Sequence, residues 1–423
     1  MNLYLESLGC DKNRVDSEKL LSELLEKYEG AKVTMDPAEA DIAIVNTCSF
    51  IGPAKEESIN TILELAEYKK TGKLQKLIVA GCLVERYKDE IRKELPEIDE
   101  IASVKDYVSR LDNQMKRVES GERYTRYLKI AEGCDKYCSY CIIPRLRGHY
   151  RSIPMEQILE EAGQLVLEGA KELILVAQET TLYGTDLYGE KSLHKLLHAL
   201  GEIEGLEWIR VLYCYPEEIE LPLIEEIRDN PKVCHYLDLP IQHSSDRILK
   251  AMNRKTRRAE LKEKIALLRR EIPDICLRTT LITGFPGETE EDLEDVLSFI
   301  REERFDRLGV FPYSQEEGTY AATMDNQVPE SVKNKRLSRI MELQQEIAFH
   351  KAEEQKGRVL KALVVGFDEE ESRLVLRSYM DNPDIDSFIY LKGEERAVGD
   401  FVCVRIIDTE GYDLIGEYCE SSQ

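Results

Sequence analysis

No stretch of this 423-residue sequence approaches the roughly 20 consecutive apolar residues that a membrane-crossing helix needs. The first residues, Met1-Asn2-Leu3-Tyr4-Leu5-Glu6, offer neither the basic region nor the apolar core of a secretory signal. A cytoplasmic protein that does not engage a membrane is expected. Positive charge is scarce: 58 Lys and Arg stand against 82 Asp and Glu, for a net charge of −24. Such a chain is repelled by bare nucleic acid unless it carries a local basic patch, and it suits a basic partner. Its 11 cysteines are an odd count in a long chain without a secretory signal. That argues against a disulfide framework and for metal or redox chemistry. With 42% hydrophobic and 33% charged residues, the composition is that of a globular chain long enough for two or three cores.

Two familiar sites are also lacking. Gly184-x4-Gly189-Glu190-Lys191-Ser192 has the outline of a phosphate-binding loop, but Glu190 occupies the position the lysine must hold. His194 and His198 share a helix face, but no glutamate follows His194, so a zinc-protease site is excluded.

What is present is Gly133-Cys134-Asp135-Lys136-Tyr137-Cys138-Ser139-Tyr140-Cys141, a Cys-x3-Cys-x2-Cys triplet. A structural zinc site closes with four ligands, and no fourth cysteine is near. A cubane iron–sulfur cluster takes one thiolate per iron, so three cysteines leave one iron open to a ligand. Gly133, Asp135, Lys136, Ser139 and Pro144 mark a polar turn rather than a buried apolar run. Three thiols on such a turn without a metal would invite oxidation. The triplet is therefore expected to hold a catalytic cluster.

The segment from Met1 to Asn113 reads as βαβαβα. Apolar runs Leu3 to Leu5, Ile42 to Val45 and Leu77 to Ala80 are each followed by a helical pattern, at Asp16 to Tyr28, Ala54 to Lys70 and Leu83 to Leu95. A parallel sheet with right-handed crossovers is expected. One cysteine follows each strand: Cys10, Cys48 and Cys82. Those positions share the carboxyl edge of the sheet, where ligands bind, and neighbouring strands lie about 5 Å apart. A second three-cysteine cluster is expected there. A polar linker runs from Gln114 to Arg126. Six further strand–helix units follow, with strands at Tyr127 to Ala131, Glu172 to Ala177, Trp208 to Tyr213, Tyr236 to Leu239, Leu277 to Thr283 and Leu308 to Tyr313. Six units suit a partial barrel, with chemistry at the carboxyl ends of the strands. A charged amphipathic helix spans Glu330 to Gln355. From Gly357 to Gln423, five short alternating runs separated by turn residues predict a small antiparallel β-barrel. Cys214, Cys234, Cys276, Cys403 and Cys419 lack ligand-like grouping and are expected to be structural thiols.

The triplet resembles the signature of radical S-adenosylmethionine enzymes. The chain as a whole resembles the methylthiotransferases of that superfamily. The matching motifs are Leu8-Gly9-Cys10-x-Lys12-Asn13 with Asp16-Ser17-Glu18, then Asn46-Thr47-Cys48, Gly81-Cys82 and the Cys134/Cys138/Cys141 triplet. The resemblance implies a flavodoxin-like domain over 1–113, a partial (β/α)6 radical core over 127–355, and a TRAM barrel over 357–423 that docks the substrate. It implies two 4Fe-4S clusters, with S-adenosylmethionine on the open iron held by Cys134, Cys138 and Cys141, and the second cluster on Cys10, Cys48 and Cys82. Tyr140 would lie near the adenine. Gln178, Glu179, Gln242, Arg278, Gly284 and Gly287 correspond to cofactor-contact positions, and Glu179 stands where the family commonly has aspartate. Arg145, Arg147 and Arg151 could hold a carboxylate of cofactor or substrate, or equally form a solvated basic face. An electron donor such as flavodoxin or ferredoxin, and a sulfur source, are implied partners.

The family modifies either a tRNA adenosine beside the anticodon or an aspartate, at its β-carbon, of ribosomal protein twelve of the small subunit. Between Gly357 and Gln423 there are seven Lys and Arg against fifteen Asp and Glu, a balance of −8. A tRNA-docking barrel should be positive. An acidic one suits a basic ribosomal protein, free or in the assembled small subunit. The runs Ser7 to Asn13 and Gln178 to Gly189 also look like the ribosomal-protein branch.

Overall fold

A computed structural model describes residues 1–111, 116–118, 121–392 and 396–419. The expected boundary at Asn113, the linker start at Gln114, and Glu394, Glu395 and Glu420 of the terminal charge count lie outside the described residues. The chain forms two compact units that interleave in sequence. One comprises Met1–Glu168, Leu175–Ser192 and Ser314–Thr323. The other comprises Gly169–Ile174, Leu193–Tyr313 and Met324–Gln423.

In the first unit, five strands form a sheet in the order Lys32–Val33, Asn2–Ser7, Ile42–Thr47, Lys76–Gly81, Glu100–Ser103. Every ladder is parallel. Numbered along the chain, the order is 2-1-3-4-5, that of flavodoxin-like doubly wound sheets. The central strand explains the two helical layers. Ile42 and Ile44 face Leu3 and Leu21 of one core. Ala43 and Val45 face Ile62, Leu65 and Leu83 of the other. A strand buried on both faces reads as a continuous apolar run.

The first helix begins at Asp11, five residues before the expected start. Its buried side carries Lys12, Asn13, Asp16, Ser17, Glu18 and Lys19, so no apolar period marks its opening turns. The sequence also gave no sign of a clasp around the triplet. Ala131–Glu132 pairs antiparallel with Arg151–Ser152 and closes the base of the loop that carries the three cysteines.

Of the six expected strands of the radical core, the first two are Thr125–Lys129 and Glu172–Val176, and the four that lie wholly in the second unit form a sheet in the order Arg307–Pro312, Cys276–Thr283, Val233–Gln242, Trp208–Val211. In the second unit its ladders run parallel. The terminal domain is a closed five-stranded barrel. It is antiparallel except that Ile389–Lys392 runs parallel to Asp413–Tyr418. Five strands in a ring cannot alternate direction throughout, so one parallel ladder is geometrically required.

Candidate active site

Cys10 caps the helix Asp11–Lys27, Cys48 follows the strand Ile42–Thr47, and Cys82 opens the helix Cys82–Glu94. All three leave the carboxyl ends of adjacent parallel strands. The backbone is fitted closely around them. Gly9, at φ +89°, would place a Cβ 2.7 Å from Cys48 Cβ, and Gly81, at φ +101°, would place one 2.4 Å from Asn46 Oδ1. Only glycine adopts both the conformation and the approach. Burial, reinforced by Cys10 and Cys82, pushes the Cys48 thiol up to about 12. Burial also raises Cys82, opposed by Arg147. Adjacent strand ends and the close approach of Gly9 to Cys48 bring the three loops together, and a metal that binds their thiols must displace the protons.

The second triplet lies on the clasped loop. Gly133, at φ +79°, would drive a Cβ to 2.1 Å from His149 O. Cys134 N–H donates to Gly148 O at 3.2 Å and Cys141 N–H to Cys138 O at 3.0 Å, while Ser139 O accepts from Ala321 N–H at 2.7 Å. Cys134 and Cys138 are buried and Cys141 is half-buried. Burial raises Cys134 to about 11, with Cys138 and Glu179 adding to the effect. Tyr140 is half-buried on the same loop. Among the described residues, no three His, Cys, Asp or Glu side chains stand as ligands to a single metal ion. A cubane places each thiolate on a different iron, so its cysteines are set wider than ligands to one ion. Soft thiol donors on glycine-fitted loops, with no carboxylate or imidazole among them, fit an iron–sulfur cluster at each set.

Between the two sets lies a buried ionic network. Lys129 Nζ donates to Asp16 at 2.6 Å and to Glu132 at 3.1 Å, and Arg147 donates to the same carboxylates at 2.8 and 3.1 Å. Two cations balance two anions, as buried charge requires. Burial alone would raise Glu132, but Arg147 and Lys129 outweigh it and hold the carboxyl well below the usual range. Asn13 and Asp16 stood in the sequence as family motif residues without a stated role. The structure supplies one: Asn13 Nδ2 donates to Leu8 O at 2.9 Å and to Thr47 O at 3.0 Å. Lys129 and Glu132 were missed, because a buried ion pair leaves no spacing signature.

The other expected contacts divide. Gln178 Nε2 donates to Glu132 at 2.8 Å, and its Oε1 is buried without a hydrogen-bond partner. Glu179 is buried and accepts from Thr181 N–H at 2.9 Å. In the second unit, Gln242 (φ +70°), Gly284 (φ +73°) and Gly287 (φ +78°) all adopt left-handed backbone at the carboxyl side of adjacent strands. Glu288 accepts from Gly284 N–H at 2.7 Å and is itself held by Arg336 at 2.9 Å. His243 beside them is buried and held neutral, burial lowering it to about 3.

Two expectations change. Arg278 lies near the amino end of its strand, away from the carboxyl edge where the glycines stand. Its guanidinium is bound to Asp238 at 3.1 Å, with Asp386 at 3.7 Å, so it serves packing in the unit. Arg147 is buried on Asp16 and Glu132 and holds the chain's own carboxylates instead of a ligand's, whereas Arg145 and Arg151 are exposed. Among the thiols expected to be structural, Cys214, Cys234 and Cys276 are buried, and Cys403 and Cys419 are half-buried.

Comparison with known proteins agrees with this architecture. A radical SAM superfamily model matches residues 128–300, a TRAM domain model 357–419, and an uncharacterized protein family, UPF0004, residues 2–103. The chain is similar to the ribosomal protein uS12 methylthiotransferase RimO of Lachnoclostridium phytofermentans, at 51% identity over 98% of this chain and 99% of that protein. It is similar to the RimO of Geobacter sulfurreducens at 49%, over 97% of each, and to that of Clostridium botulinum strain Hall at 47%, over 98% of each. Among solved structures it shares its fold with the radical S-adenosylmethionine methyltransferase TsrM of Kitasatospora setae, at TM-score 0.56 and 12% identity over 74% of each chain. OxsB, a cobalamin-dependent radical enzyme, matches at TM-score 0.51 and 14% identity over 82% of this chain and 56% of that one. With whole-length identity near one half to three such relatives, and with both cysteine triads in place, this chain belongs to the uS12 methylthiotransferase (RimO) family of radical S-adenosylmethionine enzymes.

Proposed function

We propose that the chain inserts a methylthio group at the β-carbon of an aspartate in small-subunit ribosomal protein uS12. The carrying observation is the pairing of two three-cysteine sets in one compact unit, both on glycine-fitted loops, with Cys10, Cys48 and Cys82 at the carboxyl ends of adjacent parallel strands. Cys134, Cys138 and Cys141 would hold the cluster that takes S-adenosylmethionine, and Cys10, Cys48 and Cys82 the second cluster. When bound, these groups supply the radical and sulfur chemistry of methylthio transfer.

The chain's own part is to bind, orient and exclude water. Burial of Cys134 and Cys138 keeps solvent from the first set. Gln178, with its carbonyl oxygen unsatisfied at the strand end, is a donor-and-acceptor contact for the cofactor, and Tyr140 borders it. The left-handed turns at Gln242, Gly284 and Gly287 let backbone approach a ligand closely. Acidic surface on the terminal barrel attracts the lysine- and arginine-rich substrate. We assign the domains as 1–113, 127–355 and 357–423, and place the activity in the cytoplasm with an electron donor such as flavodoxin or ferredoxin and a sulfur source.

The tRNA adenosine alternative is disfavoured by the relatives' shared uS12 specificity and by the terminal balance of −8. The deciding experiment offers anaerobically reconstituted protein both a uS12 peptide and unmodified tRNA, with S-adenosylmethionine, reductant and sulfide. A methylthio mass gain on the peptide alone supports the proposal, and a gain on tRNA alone overturns it.

A further inference from the structure

Arg147 ends the short helix Ile143–Arg147 that follows Cys141. One nitrogen of its guanidinium serves Asp16 at 2.8 Å and Glu132 at 3.1 Å, and the other donates to Asn13 Oδ1. Asn13 in turn gives its two amide hydrogens to Leu8 O and Thr47 O, the carbonyls that precede Cys10 and Cys48. Glu132 accepts from Gly133 N–H at 3.2 Å and from Gln178 at 2.8 Å, immediately before Cys134. An unbroken run of hydrogen bonds thus joins the loops of one cysteine set to the loop of the other. Leu146, its neighbour on that helix, packs in the same buried cluster as Cys82.

We propose that Arg147 is the positioning residue that fixes the Cys10/Cys48/Cys82 loops against the Cys134/Cys138/Cys141 loop. This rests on the two-set reading above. A planar fork with five donors serves Asn13 and two carboxylates together in one fixed geometry. A lysine ammonium cannot. Net charge, hydrogen bonding and solvent exposure around a cluster set its reduction potential, so loosening the loops that hold it should move that potential, and residues that support metal ligands typically affect activity by about 10- to 100-fold. A residue that merely neutralised Asp16 and Glu132 would alter stability and leave the potential unmoved.

The test uses Arg147→Lys, which keeps the charge for the carboxylates and loses the fork. In a Cys134→Ala/Cys138→Ala/Cys141→Ala background, iron content and an electron-paramagnetic-resonance redox titration report on the Cys10/Cys48/Cys82 set alone. The variant is expected to bind iron at a midpoint potential shifted from that of its parent. In the otherwise unaltered chain, methylthio product per 5′-deoxyadenosine released should fall about tenfold. A folded variant with parental potential and parental product ratio overturns the inference alone. A triple-alanine parent that binds no iron overturns the two-set reading and this inference with it. Should Arg147→Lys fail to fold, Asn13→Asp decides on the same two readouts, because it keeps an acceptor for Arg147 and removes both donors to Leu8 and Thr47.

Discussion

Glu172 and Arg377 form a buried ion pair, with Arg377 Nη2 2.6 Å from Glu172 Oε2. The other carboxylate oxygen takes Arg210 Nε at 3.0 Å. Arg210 also donates to Tyr379 O at 2.6 Å. Glu172 begins the strand Glu172–Val176 and Arg210 lies within Trp208–Val211, while Arg377 and Tyr379 belong to the terminal barrel and the turn after its strand Arg373–Ser378. The row continues along the next strands, with Tyr236 bound to Asp386 at 2.8 Å and Arg307 to Asp381 at 2.6 Å. The turn Ser378–Asp386 is thereby pinned to the amino ends of the second unit's strands by charge.

The pair predicts a pH dependence. Burial alone would raise the Glu172 carboxyl, but Arg377 and Arg210 outweigh it and hold it at about 2. A carboxyl depressed in the folded state stabilises fully above its unfolded value, and that contribution is lost as pH falls through the folded value. From 4.5 to about 2, the linkage is on the order of 3 kcal/mol. Glu172→Gln should destabilise the chain at pH 7 by about 3–5 kcal/mol, and the gap to the parent should narrow as pH drops from the mid-fours toward two. Urea midpoints measured across that window check this. A gap that stays constant would assign the loss to packing instead of charge.

Gly133→Ala tests the fit of the triplet loop. The added methyl would sit 2.1 Å from His149 O on backbone at φ +79°, and neither neighbour is the end of a flexible side chain. The clasp between Ala131–Glu132 and Arg151–Ser152 must open to admit it. Iron bound at Cys134, Cys138 and Cys141 should be lost while far-ultraviolet circular dichroism stays near parental, since the sheet lies outside the loop. Parental iron content would show that the loop is more compliant than this geometry implies.

Where the sequence was legible, one element carried one signal. Ile42 to Val45 reads as a buried strand because both faces are apolar, and the cysteines read as ligands because each follows a strand or stands in a fixed spacing. Two-residue elements such as Lys32–Val33 and the clasp were not visible, since no periodicity accumulates over so short a run. The start of the first helix was masked because Lys12, Asn13, Asp16 and Glu18 are buried by hydrogen bonds and ion pairs, so burial there does not coincide with hydrophobicity. Arg147 and Arg278 were read as ligand contacts because a sequence does not show which carboxylates will meet a guanidinium. Asp16 and Glu132 lie more than 100 residues apart in the chain, and Arg147 meets both.

The two cysteine sets should separate genetically. Cys138→Ala is expected to abolish release of 5′-deoxyadenosine from S-adenosylmethionine. Cys48→Ala should retain that release and stop methylthio insertion. Each variant should lose about half the iron of the parent, since one set of thiolates serves one cluster. Product analysis by liquid chromatography with iron quantification distinguishes them. Loss of both activities in a folded Cys48→Ala that keeps the iron of the other set would sink the division of labour.

Substrate docking should depend on the terminal barrel's acidic turn. Glu369, Glu370 and Glu371 are exposed between the strands Val359–Asp368 and Arg373–Ser378. Asp368 is different: it is bound by Arg373 at 3.1 Å and caps the Glu370 and Glu371 N–H groups, so it holds the turn and is left in place. Reversing the three exposed charges to lysine should leave the barrel folded and slow association with a basic substrate. Rim charges act chiefly on encounter rate and salt dependence. The expected result is a rise in KM for the uS12 peptide of about tenfold at low ionic strength, shrinking as salt screens the parent's attraction, with little change in kcat. A KM equal to the parent's at low salt would place docking elsewhere on the molecule and remove charge as the basis of substrate choice.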